Sequence, residues 1–67
     1  MKEYAIYCIE LGVKIYIKSI SEILSIYTED INKSKKFSNQ AECTKVINQI
    51  NEDILFGKSL EHYIEEI

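Results

Sequence analysis

Three side chains in this 67-residue sequence have the chemistry of a nucleophile or a soft metal ligand: Cys8, Cys43 and His62. A His–Cys pair can generate a thiolate nucleophile. Cys8, however, lies in a run of alternating apolar residues, and Cys43 opens an apolar stripe at helical spacing. Cysteines in such settings act as small buried hydrophobes. Both therefore point inward and can meet across the core as free thiols; a disulfide between them would require an oxidising compartment. As zinc ligands the three residues show no Cys-x-x-Cys or His-x-x-x-His spacing, and a fourth ligand is missing. The carboxylates Glu29, Asp30, Glu42, Glu52, Asp53, Glu61, Glu65 and Glu66 fall in polar stretches. Acid–base pairs need one member in a dry pocket, so these read as a solvated surface. Only Gly12 and Gly57 are glycines, so there is no phosphate-cradling loop. These observations predict a non-enzymatic chain with no cofactor and no metal.

The tyrosines remain. Tyr7, Tyr16 and Tyr27 recur through a strand-rich first half. Tyrosine suits strands, and cross-strand aromatic pairs stabilise a sheet by roughly 0.2–1 kcal/mol each. Gathered on an uncovered face, tyrosines also form a protein-contact patch, since they are enriched at interface hot spots. A different use of the same rings is base stacking, with Lys14 and Lys18 meeting phosphates. The absence of arginine and the net charge of −3 weigh against nucleic acid.

The elements that position these residues follow from periodicity. Residues 3–11 and 13–20 read as a β-hairpin turning at Leu11-Gly12. A two-residue turn puts Cys8 opposite Ile15, Tyr7 opposite Tyr16 and Ile6 opposite Ile17. Ile6, Cys8, Val13, Ile15 and Ile17 then share the buried face. Tyr7, Ile9, Lys14, Tyr16 and Lys18 share the other. A second reversal at Ser21-Glu22 makes 23–28 a third strand. It pairs Tyr16 with Tyr27 and Ile17 with Ile26, and sends Leu24 and Ile26 to the core. Residues 20–27 also fit a helical stripe, but β-branched residues favour the strand. Residues 28–37 form a polar connector whose Lys33, Lys35 and Lys36 read as a solvated loop. Asn39 followed by Glu42 is a helix-start signature. Cys43, Val46, Ile47, Ile50 and Ile54 predict a helix from about Gln40 to about Leu55, stopped by Gly57. Residues 59–67 fit a helix behind Ser59 or a closing strand, and the strand gives the sheet a needed edge.

Length bounds the chain to one domain, 1–67, with a thin stability margin. Oligomerisation or partner binding is a common remedy for such a margin. With 46% hydrophobic and 28% charged residues the chain is expected to fold. The first residues lack a signal-peptide core and no apolar run approaches a membrane span, which predicts a cytoplasmic protein. The Ile, Lys, Asn and Glu bias is similar to that of AT-rich bacterial genomes and their phages.

Tyr27-Thr28-Glu29-Asp30, then Ser34, Phe37 and Glu42-Cys43, resemble a pattern in short phage and mobile-element proteins. In those, a strand ending in Tyr-Thr-x-Asp leads through a small residue and a Phe into a helix opening with Glu-Ala. Here Ser34 stands at the usual alanine, and Cys43 replaces the alanine of Glu-Ala. The resemblance spans about residues 3–50 and its motif is structural. It implies a compact α+β fold and a phage origin. Proteins of this kind include blockers of host defence, anti-CRISPR proteins among them, and the resemblance transfers no functional residue.

The expectation is thus an α+β fold: a three- or four-stranded antiparallel sheet, hairpin first, with one main helix on one face. Its function would be inhibition of a bacterial defence complex, with Tyr7, Ile9, Lys14, Tyr16, Lys18 and Tyr27 contacting the partner protein. A nucleotide-binding or nucleotide-sequestering module and a homo-oligomer are the alternatives.

Overall fold

The structure, a computed structural model, describes residues 2–20, 25–52 and 61–67. Three strands come first: β1 (Tyr4–Glu10), β2 (Val13–Ile20) and β3 (Ser25–Thr28). A 3-10 turn (Ile31–Lys33), the helix α1 (Gln40–Glu52) and β4 (Tyr63–Glu66) follow. The strands form one antiparallel sheet in the order β3-β2-β1-β4. The helix packs over β1 and β4 on one face. This is the α+β architecture that the periodicities predict, with the C-terminal segment as the closing strand.

The hairpin turns on Leu11-Gly12, with φ of 52° and 80°. Two consecutive positive φ values match the right-handed twist of the flanking strands. Gly12 adopts this conformation freely, whereas Leu11 pays a steric penalty there. The register is Tyr7 with Tyr16, Cys8 with Ile15, Ile9 with Lys14 and Glu10 with Val13, as alternation predicts. Val13 is a correction. At the hairpin tip, beside the wholly exposed Leu11, it is 43% exposed rather than in the core.

The pairing of β2 with β3 overturns a second expectation. Tyr16 faces Thr28, Ile17 faces Tyr27, Ser19 faces Ile26 and Ile20 faces Ser25. The register shifts between Ile17 and Ser19, leaving Lys18 as the extra residue of a bulge. Side chains alternate with a period of two, so a one-residue slip exchanges the faces. Tyr27 consequently packs against the core cluster, and Ile26, expected inside, is 49% exposed. The reversal at Ser21-Glu22 and Leu24 lie outside the described residues.

The bulge coincides with the end of the β1–β2 ladder at Tyr7–Tyr16. Beyond it the 35–37 segment takes up the exposed backbone groups. Lys35 N–H donates to the Ile17 carbonyl at 2.8 Å. Tyr4 and Phe37 exchange two backbone hydrogen bonds, at 2.9 and 2.8 Å. Buried backbone groups need partners, and this insertion supplies them. Lys36 fastens the same loop: its Nζ donates to the carbonyls of Ile31 and Ser34 at 2.7 and 2.9 Å and to Ser34 Oγ at 3.1 Å. Of the lysine cluster read as a solvated loop, Lys36 is thus a structural tether.

The helix starts as its signature predicts. Asn39 Oδ1 accepts the Glu42 N–H at 2.9 Å, and the Glu42 carboxylate accepts the Ser38 hydroxyl at 2.9 Å. Cys43 and Ile50 join Ile6, Ile17 and Phe37 in the core, with Val46, Ile47, Tyr4, Ile20, Tyr27 and Ile64 around them. Fully burying one isoleucine is worth about 1.5–3 kcal/mol. Ile6 and Ile17 are both completely enclosed. Ile54, Leu55 and the expected stop at Gly57 lie outside the described residues.

Candidate functional site: the sheet face opposite the helix

Tyr7 stands at the middle of β1 with a tyrosine opposite it on each neighbouring strand: Tyr16 on β2 and Tyr63 on β4. Directly opposed residues in an antiparallel ladder share a face, so the three rings form a row across the sheet. The Tyr7 and Tyr16 centroids are 6.0 Å apart, and those of Tyr7 and Tyr63 are 5.4 Å apart. Both separations lie in the range where tilted aromatic pairs attract. The row has the predicted length, but its third member is Tyr63 and not Tyr27, which moves its centre from Tyr16 to Tyr7.

A network of charge lies over the rings. The Lys14 ammonium sits 4.2 Å from the Tyr7 centroid and 5.6 Å from that of Tyr16. It is ion-paired to Glu65. The Glu65 hydrogen bond, helped by Tyr16, holds the Lys14 pKa above the usual lysine value. Tyr16 Oη lies 3.3 Å from both carboxylate oxygens of Glu65. Glu65 pairs with Ala5, so this diagonal link crosses β1 above that residue. Ala5 is wholly buried, and Tyr16 is only 7% exposed. At the outer margin Tyr63 Oη donates to Glu61 at 3.2 Å. The negative charge of Glu61, and its hydrogen bond, raise the Tyr63 pKa above the usual phenol value.

Among the expected contact residues, Tyr7, Ile9, Lys14 and Tyr16 thus come together on this face. Ile9 is 52% exposed, Ile26 49% and Tyr63 41%, so the accessible apolar surface is carried by β1, β3 and β4. Tyr16 is a buried support and not a presented ring. Lys18 falls in the bulge, where strict alternation ends. Tyr27 belongs to the other face. Tyr63, Glu61 and Glu65 were missed by pattern reading, although Glu61-His62-Tyr63-Ile64-Glu65 alternates as a two-faced strand does.

The side chains with nucleophile or ligand chemistry do not gather on this face. Cys8 and Cys43 are both buried, and burial, then the nearby Glu42 charge, pushes the Cys43 pKa up. Such a shift favours the protonated thiol over the thiolate. His62 is buried, and its Nε2 lies 2.8 Å from Tyr27 Oη. Among the described residues no group of three or more His, Cys, Asp or Glu side chains could hold a metal ion. An open cleft of about 450 Å³ is lined by Lys2, Glu3, Lys36, Phe37 and Ser38 and by none of the row's tyrosines. Among the described residues no helix is long and apolar enough to cross a membrane.

No protein-family model, curated protein or solved structure matches this chain.

Proposed function

We propose that this chain is a non-enzymatic interaction module that binds a partner protein through the face bearing Tyr63, Tyr7 and Ile9. The observation that supports this reading is the row Tyr63–Tyr7–Tyr16 on the side of the sheet away from α1, with half-exposed Ile9, Ile26 and Tyr63. Tyrosine rings supply contact area at low entropic cost and are enriched where binding energy concentrates. Tyr16, locked by Glu65 and Lys14, stiffens the platform beneath them. Rigid contact residues lose less freedom on binding.

The partner to test first is a bacterial defence complex, with the chain as a phage-encoded inhibitor of the anti-CRISPR-like kind. The support for that choice is the sequence resemblance alone. The resembling residues serve the connection between β3 and α1. Asp30 caps the 3-10 turn, Phe37 bridges to Tyr4, and Glu42 sits in the first turn of the helix. They mark how the chain folds, and the contact face lies elsewhere.

The test is capture from a bacterial lysate with the wild-type chain and with Ile9→Ser/Tyr63→Ser side by side. A protein held by the wild type and lost by the variant, whose fold is checked by circular dichroism, supports the reading. Equal capture by both overturns it.

A further inference from the structure

We infer that the margin of this face formed by Tyr63 and Glu61 is a receptor for a cationic side chain, an arginine, presented by a basic partner protein. The inference rests on the reading of the tyrosine face as the contact surface and specifies the chemistry of what it contacts.

The face already holds one cation. Lys14 lies over the rings of Tyr7 and Tyr16 and is closed off by the Glu65 carboxylate. Two tyrosine faces and one carboxylate are thus arranged around an ammonium supplied by the chain itself. The same pair of groups recurs one strand further out. Tyr63 packs at a tilt against Tyr7 and its hydroxyl is tied to the Glu61 carboxylate. Among the described residues no cation lies over the Tyr63 ring, which is 41% exposed, and Glu61 is also exposed. Tyr63 therefore offers a ring and an adjacent carboxylate without the ammonium that fills the neighbouring arrangement.

Charge selects the partner. The chain carries a net charge of −3, and its segment Glu61-His62-Tyr63-Ile64-Glu65 places carboxylates on either side of the Tyr63 ring. An anionic ligand would be repelled there. Lys14, the cation that could offset the repulsion, is engaged by Glu65. A guanidinium fits better than an ammonium because it is planar, stacks on an aromatic face and can donate two parallel hydrogen bonds to one carboxylate. Its attraction to tyrosine adds to that ion pair. Removing Glu61 would leave only the ring.

The experiment uses the full ¹⁵N-labelled chain and two peptides, acetyl-Gly-Arg-Gly-amide and its citrulline counterpart, which keeps the shape of arginine and loses the charge. Proton–nitrogen correlation spectra are recorded through a millimolar titration of each. The arginine peptide is expected to shift the backbone signals of residues 61–65 and Tyr7 saturably. The citrulline peptide and the Glu61→Gln chain should show shifts at least fivefold smaller. Equal shifts with citrulline, shifts spread over all surface carboxylates, or no shift at all would overturn the inference. Because no natural partner is used, these outcomes are independent of the capture experiment. A partner lost by Ile9→Ser/Tyr63→Ser together with a silent arginine titration leaves the contact face standing and removes only its cation specificity.

Discussion

Tyr27 Oη lies 2.8 Å from His62 Nε2, joining the two outer strands of the sheet across its core face. β3 and the start of β4 are separated by two strands, roughly 14 Å at the usual strand spacing. Two aromatic side chains reaching toward each other span that distance, and their rings approach to 5.9 Å between centroids. The paired residues Cys8, fully enclosed, and Ile15, 9% exposed, share that core face.

Tyr27→Phe should therefore destabilise the protein although it removes one oxygen atom. Breaking a hydrogen bond that satisfies a buried polar group costs about 1–3 kcal/mol. In a domain of this size about 1 kcal/mol lowers the melting temperature by roughly 4–8 °C. A double-mutant cycle with His62→Phe isolates the pair, with an expected coupling of about 0.5–3 kcal/mol. Additive losses in urea unfolding would show that the two residues act separately.

Stability should fall as the solution becomes alkaline. Cys43, Lys14, Lys2 and Tyr63 all have pKa values raised above their ordinary ones. Burial is the main cause at Cys43, a glutamate hydrogen bond at both lysines, and the Glu61 charge at Tyr63. A raised folded-state pKa means that the folded chain keeps a proton that the unfolded chain has released. The stabilisation is complete below the unfolded pKa and is lost as pH rises through the folded one. The ordinary values run from 9.0 for the thiol to 10.5 for the lysines, so the decline begins near pH 9. Urea midpoints measured from pH 8 to pH 11 should decrease steadily, and less steeply in Cys43→Ala. A flat profile would contradict the shared direction of the four shifts.

The hairpin and the helix were legible in the sequence because each was over-determined. Alternation in 13–18 and a two-residue turn both fixed Tyr7 opposite Tyr16, and the Asn39 cap and apolar stripe agreed on where α1 begins. The third strand was legible as a strand but not in its register, because that depends on Lys18. Nothing local marks that residue as a bulge. The 35–37 segment, distant in sequence, occupies the β1 and β2 backbone beside it. Tyr63 was overlooked for a related reason: its face is defined only once β4 pairs with β1, a contact between the two ends of the chain.

Leu11 is a site where the sequence works against its own turn. At φ 52° a side chain with a Cβ is strained, and this one is 99% exposed with nothing to hold it there. Asparagine tolerates the conformation. Leu11→Asn should stabilise the protein by about 1 kcal/mol, within the penalty for a left-handed residue. Gly12→Ala should have the opposite effect: an added Cβ meets no neighbour within 4 Å, but φ of 80° disfavours it regardless. Opposite shifts in melting temperature for the two variants are the expected result, and shifts of one sign would reject a turn-based cause.

Binding should separate Tyr63 from Tyr27, which lie on different faces of the sheet. Tyr63 lies on the proposed contact surface, and Tyr27 is committed to the core and His62. Tyr63→Ala removes an exposed ring from the edge strand and should weaken partner binding by at least tenfold, as expected of an aromatic hot spot. It should change the unfolding midpoint little, because β4 keeps its pairing with β1 and Ile64 keeps its place at the core. Tyr27→Phe should show the reverse pattern, a lower midpoint with unchanged affinity for the folded fraction. Isothermal titration of both variants against a captured partner, with unfolding followed in parallel, distinguishes the cases. Equal loss of affinity in the two would mean that binding follows overall stability, and would remove the sheet face from consideration as the contact surface.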